Sequence, residues 1–111
     1  YAFRWFKTPA HHWPEFLDLC AAAWPEFESS YDSQIIGLWR ATPDDNNTVR
    51  SLLVTRRPDL AMWERSKLPA NDAEAETRRK LSRRYDLCDD TVVCTSTLLT
   101  AADREDTARW T

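Results

Sequence analysis

Side chains alternate along the opening of the chain. Tyr1, Phe3 and Trp5 fall on one face and Arg4 and Phe6 on the other, the two-residue period of a strand. Thr8-Pro9 closes that run. Beyond it Trp13, Phe16, Leu17, Cys20, Ala21, Trp24 and Phe27 recur at spacings of three and four, which predicts an amphipathic helix. Pro14 suits its first turn, where no intrahelical N–H is lost, and Glu15 suits the positive end of the helix dipole. His12 or Thr8 is the expected cap, and Pro25, which removes the bond to the Ala21 carbonyl, predicts a kink.

After the polar stretch Ser29 to Ser33, Gln34 to Thr42 (QIIGLWRAT) is rich in strand formers. Pro43 to Asn47 reads as a turn, and Thr48 to Arg56 as a third strand, so short a link making the pair a hairpin. Pro58-Asp59 opens a second helix with Leu60, Trp63, Lys67 and Leu68 on one stripe. Pro69 to Asp72 interrupts it, and a polar helix follows from Ala73 to Tyr85. The last strand lies in Val92 to Leu99. The order is βαββαβ over residues 1–100, an α+β, ferredoxin-like unit with helices on one face of a four-stranded antiparallel sheet; residues 101–111 form a polar tail apart from Trp110.

Two helices cover one sheet face, so the other should read polar if it met water. It does not. Ile36 and Leu38 oppose Ile35 and Trp39 in the second strand, Val49 and Leu53 oppose Leu52 and Val54 in the third, and Val92, Cys94 and Leu98 oppose Val93 and Leu99 in the fourth. The helix-free face therefore needs a cover, and a second copy of the chain is the economical one; the tail or a neighbouring domain is the alternative.

Composition narrows the chemistry. With 111 residues the chain is one domain, and the net charge of −3 argues against a general nucleic-acid binder. A single glycine, Gly37, excludes Gly-rich phosphate loops. Cys20, Cys88 and Cys94 form no CxxC pair and suit a reducing, cytoplasmic compartment. No apolar run approaches the roughly 18 residues of a membrane span, and nothing near the N-terminus reads as a signal peptide. The chain opens on Tyr1 rather than a methionine, which fits an excised or processed domain.

Three stretches resemble a known family. Tyr1-Ala2-Phe3-Arg4-Trp5-Phe6, then Trp13-Pro14-Glu15-Phe16-Leu17 opening the first helix, then Ile35-Ile36-Gly37-Leu38-Trp39-Arg40 in the second strand are similar to the NIPSNAP family, within the dimeric α–β barrel proteins. Leu52 to Arg57 departs from the aromatic-rich third strand of that family. The resemblance implies a ferredoxin-like fold and a homodimer. It transfers no catalytic residue set, since the wider superfamily holds cofactor-independent monooxygenases, isomerases, haem-handling enzymes and ligand-binding modules alike.

The residues themselves suggest two uses. In the first, a non-catalytic dimerisation module binds a small apolar ligand between Trp5, Phe16 and Trp39. In the second, a monooxygenase or isomerase needing no cofactor acts on a small aromatic or polyketide-like substrate; Arg4 or Arg40 stabilises an enolate-like oxygen and His11 or His12 moves a proton. The bland alternatives are rim arginines, core aromatics and a surface histidine pair. Adjacent histidines diverge, so the pair predicts no metal site. Arg78-Arg79-Lys80 with Arg83-Arg84 reads as a solvated helix face, because Glu74 and Glu76 precede Arg78 and Lys80 by four residues. Asn46-Asn47-Thr48 is a glycosylation sequon in form only, and Asp44-Asp45 and Asp89-Asp90 read as turn carboxylates.

Overall fold

A computed structural model describes residues 1–41 and 47–97. The expected turn after the second strand, the sequon's Asn46, Leu98, Leu99 and the tail with Trp110 lie outside these residues. The elements run β1 (Ala2–Pro9), a 3-10 turn (Ala10–His12), α1 (Trp13–Tyr31), β2 (Gln34–Arg40), β3 (Thr48–Arg56), α2 (Leu60–Arg65), α3 (Asp72–Asp86) and β4 (Asp90–Thr95). The sheet order is β2-β3-β1-β4 with every neighbouring pair antiparallel, so the fold is ferredoxin-like as expected. The short α2 adds a turn of helix between β3 and α3.

Register lays the sheet out in rows. On the face away from the helices, Trp39, Leu52, Trp5 and Val92 form one row across all four strands, and Gly37, Val54, Phe3 and Cys94 the next. On the helix side the rows are Arg40, Ser51, Phe6 and Thr91, then Leu38, Leu53, Arg4 and Val93. The parity expected for β2 fails at one point. A bulge between Ile35 and Gly37 inserts Ile36, so Ile35 and Leu38 both pack into the core while Ile36 and Trp39 stay exposed. Arg40 consequently shares its face with Leu38 and Ile35, not with Ile36. Gly37 follows the bulge because of close approach rather than a positive φ: a Cβ there would stand 2.8 Å from Cη2 of the Trp39 indole.

α1 buries Phe16, Cys20, Ala23, Phe27 and Tyr31, leaving the expected stripe members Leu17 and Ala21 outside. It continues through Pro25 and ends where Asp32 takes the left-handed conformation, φ 47°, with its N–H donating to the Glu28 carbonyl. Neither His12 nor Thr8 caps its start with a side chain; the 3-10 turn leads in through the backbone, and Thr8 Oγ1 faces Cys88 Sγ at 3.4 Å instead. The core gathers Phe6, Phe16, Cys20, Leu53 and Leu87, with Phe6 and Phe16 edge to face at 4.9 Å. α2 starts on Asp59, whose Oδ1 accepts from Met62 N at 2.7 Å, but its expected apolar stripe is not buried: Leu60 and Leu68 are exposed.

The polar junction of the helices is Glu74. Its carboxylate accepts from Arg65 Nη1 at 2.8 Å, Tyr31 Oη at 3.1 Å, Asn71 Nδ2 at 3.2 Å and Ala70 N at 3.3 Å, while its own N–H donates to Asn71 Oδ1 at 2.9 Å. This buried carboxylate ties α1, α2 and the start of α3 together. It pairs with Arg65 rather than the expected Arg78, and Glu76 likewise pairs with Arg79 rather than Lys80.

The hydrogen bonds from Arg65, outweighing burial, hold the Glu74 carboxyl at a pKa of about 2, below its ordinary 4.5. A carboxylate whose folded pKa is depressed contributes stability that is present above the unfolded value and disappears as pH falls through the folded one. Glu74→Gln is therefore expected to lower Tm by several degrees at pH 7. In thermal scans between pH 4.5 and 2 its Tm should fall less steeply than that of the unaltered protein. Parallel pH profiles would show that Glu74 carries no such load.

Candidate functional site

Between the sheet and the helices lies a cavity of about 350 Å³. Its floor is the helix side of the sheet, where Arg4 projects from the middle of β1 between Leu53 and Val93 in register. Its walls are rings and aliphatic side chains: Trp24 and Phe27 from α1, Ile35 from β2, and Leu81 and Tyr85 from α3. Arg57, Trp63, Ser66 and Lys67, on and around α2, complete one side, and Arg78, Arg84 and Thr91 another.

Five cationic residues line this space, Arg4, Arg57, Lys67, Arg78 and Arg84, and no Asp or Glu does among the described residues. The guanidiniums lean on rings instead. Arg4 stands over Tyr85 at 5.3 Å, Arg57 over Phe27 at 4.6 Å, and Arg84 over Phe6 at 5.3 Å and Phe16 at 5.8 Å. Arg84 is only 4% exposed. Its Nε donates to the Leu81 carbonyl at 3.3 Å and its Nη1 to Cys20 Sγ at 3.4 Å. Burial pushes the Cys20 thiol up, outweighing Arg84 beside it, so the sulfur supplies no negative charge. Arg57 donates through Nη1 to Ser66 Oγ at 3.1 Å, and Ser66 in turn donates to the Trp63 carbonyl at 2.6 Å.

The electrostatic consequence is a shortage of negative charge. Burial lowers the Arg4 pKa, and the neighbouring Arg84 and Arg78 lower it further against the opposing influence of Tyr85. Arg57 is brought down to about 10, chiefly by burial and then by Arg4. One wall group is also unpartnered: Thr91 Oγ1 is buried with no hydrogen bond.

The residues singled out in the sequence divide between the two faces. Arg4 lines the cavity. Trp5 and Trp39 lie on the opposite, helix-free face, 44% and 52% exposed, and Phe16 is wholly enclosed in the core, stacked on Trp13 at 5.2 Å. The three do not meet. Arg40 is exposed at the end of β2, over Trp13 at 5.7 Å. His11 and His12 have ring centroids 4.0 Å apart in the 3-10 turn and line no part of the cavity. Arg84, Arg57, Tyr85 and Thr91 were not singled out for this site. A signal for Arg84 existed: Thr77, Leu81 and Arg84 succeed one another at spacings of four and three, on the buried stripe of α3. Only part of the basic cluster is a solvated face, since Arg79 pairs with Glu76, and Arg83 with Glu15 and Asp86, while Arg78 and Arg84 line the cavity.

No family model and no curated protein matches the sequence. Solved structures do share its fold. An uncharacterized NIPSNAP domain protein from Burkholderia xenovorans superposes with TM-score 0.56 at 16% identity, over 91% of this chain and 97% of its own. A protein from Agrobacterium tumefaciens superposes with TM-score 0.53 at 13% identity, over 90% and 95% respectively. The resemblance read in the strands is thus met in the fold.

Unneutralised charge in a half-buried space costs stability. Arg4→Met keeps an apolar body in place of Arg4 and removes one mutually repelling cation. In low-salt buffer its Tm is expected to rise by a few degrees. A fall would mean that the contact with Tyr85 outweighs the repulsion.

Proposed function

We propose that this chain is a NIPSNAP-like dimerisation and small-ligand-binding module, pairing through its helix-free face and holding an apolar-bodied molecule in the cavity on the other. The observation that carries the reading is the cavity itself, whose size is that of small-ligand sites and whose lining divides about evenly between ring or aliphatic side chains and polar ones. Its described lining includes neither His11 nor His12, nor any Asp, Glu or Cys. That favours binding over the enzymatic alternative, in which His11 or His12 serves as the proton carrier.

Pairing is supported by the other face. Trp39, Trp5 and Val92 are 52%, 44% and 54% exposed in one row, with Leu52 between the two tryptophans. Such a row can meet its own copy across a two-fold axis, and the charges of this face, Arg50, Lys7 and Asp90 at one end and Arg56 at the other, stand off the centre. Cytoplasmic residence remains part of the proposal; no described helix is long and apolar enough to cross a membrane.

Native mass spectrometry tests both halves at once. The unaltered protein is expected as a dimer with a small molecule retained or readily loaded, and Trp39→Glu as a folded monomer that keeps the cavity. A monomer at tens of micromolar without the substitution would overturn the pairing. A dimer that takes up no molecule from a library of apolar-bodied compounds would overturn the binding role.

A further inference from the structure

We propose that the ligand of this cavity is an organic anion, a carboxylate on an aromatic or aliphatic body, with the carboxylate held by Arg4, Arg57 and Arg84. This rests on the cavity being a ligand site and goes further by naming the chemistry it selects.

Three independent features point there. The first is composition against context: five cationic residues converge on one space in a chain whose overall charge is −3. Buried charges in folded proteins are ordinarily paired, and among the described residues Glu64 pairs with the exposed Lys67, Glu74 with Arg65, Glu76 with Arg79 and Glu15 with Arg83. None reaches Arg4, Arg57 or Arg84 among the described residues. The rings beneath these guanidiniums orient them without neutralising them, because a quadrupole attracts a cation but carries no net charge.

The second feature is Thr91 in the cavity wall, whose unpartnered Oγ1 is covered as it stands and would reach an anion's oxygen by a turn about χ1. The third is shape. A bare phosphate or sulfate would leave Trp24, Phe27, Leu53 and Leu81 facing empty space, whereas a ring or chain attached to the anion fills it. Planar guanidinium forks suit a carboxylate in two-point contact. Lys67 and Arg78 then supply attraction on approach rather than contact.

The test compares 2-naphthoate with 2-naphthamide, alike in shape and different in charge, by isothermal titration calorimetry at low salt. The acid is expected to bind about ten- to a hundredfold more tightly than the amide, as charge-assisted bonds do relative to neutral ones. Arg4→Met should remove most of that advantage, weakening the acid at least about tenfold more than the amide, and Arg57→Gln provides the same readout should the first variant not fold. Equal binding of acid and amide would overturn the anion assignment and leave the cavity a ligand site. Inorganic phosphate binding where naphthoate does not would overturn the apolar body. Failure of acid, amide and phosphate alike, into the millimolar range, would overturn the cavity reading together with this one.

Discussion

Arg84 is almost wholly enclosed among Phe6, Phe16 and Tyr85, with a thiol rather than a carboxylate at its Nη1. The space between sheet and helices is organised around that unneutralised charge. It sits where β1, α1 and α3 meet, so the same side chain that packs the core also sets the potential of the cavity beside it. A neutral residue there would pack with less penalty. The charge is tolerated because it is spread over a planar, weakly hydrated group that stacks on rings. It lies at the C-terminal turn of α3, where the helix dipole is negative and the Leu81 carbonyl accepts from its Nε.

The opposite end of α3 holds the compensating arrangement. Glu74 lies in its first turn, where a carboxylate is favoured, and gathers hydrogen bonds from Tyr31, Arg65, Ala70 and Asn71. Ten residues of helix separate it from Arg84, about 15 Å at 1.5 Å per residue. The Glu74 carboxylate is moreover already engaged by Arg65, so it does not neutralise Arg84. Each satisfies one end of the helix dipole, and the helix delivers a positive end to the cavity and a bonded negative end to the α1–α2 junction.

Much of this was legible in the chain. The two-residue period of β1 placed Trp5 on one face and Arg4 on the other, as found, and the order of elements specified the ferredoxin-like sheet. The errors have physical causes. The bulge at Ile36 has no hydrophobic signature, since an isoleucine fits either face, and it reverses the parity of everything before it in β2. Leu60 and Leu68 have the spacing of a buried stripe, but a helix of six residues lacks the length to lay one against the sheet. The cavity was hidden for another reason. Net charge sums over the whole chain, and no described Asp or Glu lines the cavity, so a balance of −3 argued against a general nucleic-acid binder without revealing the local cluster of cations. Adjacent Arg78-Arg79 and Arg83-Arg84 look alike in sequence, yet a helix turns neighbours about 100° apart, sending one inward and one to solvent.

That separation of charge has a consequence for selectivity. An exterior with a net negative balance repels large polyanions, whose many charges sample the whole surface. On the proposed reading, a single carboxylate on an apolar body would sample chiefly the cavity, where burial keeps the arginines only weakly screened. The acidic composition and the cationic lining would then act in the same direction. β1 links this to the other face, because Arg4 is flanked along the strand by Phe3 and Trp5. Covering the tryptophan row would hold the strand that carries Arg4 in place, so the proposed pairing of two chains and the positioning of the cavity's central cation would depend on the same few residues.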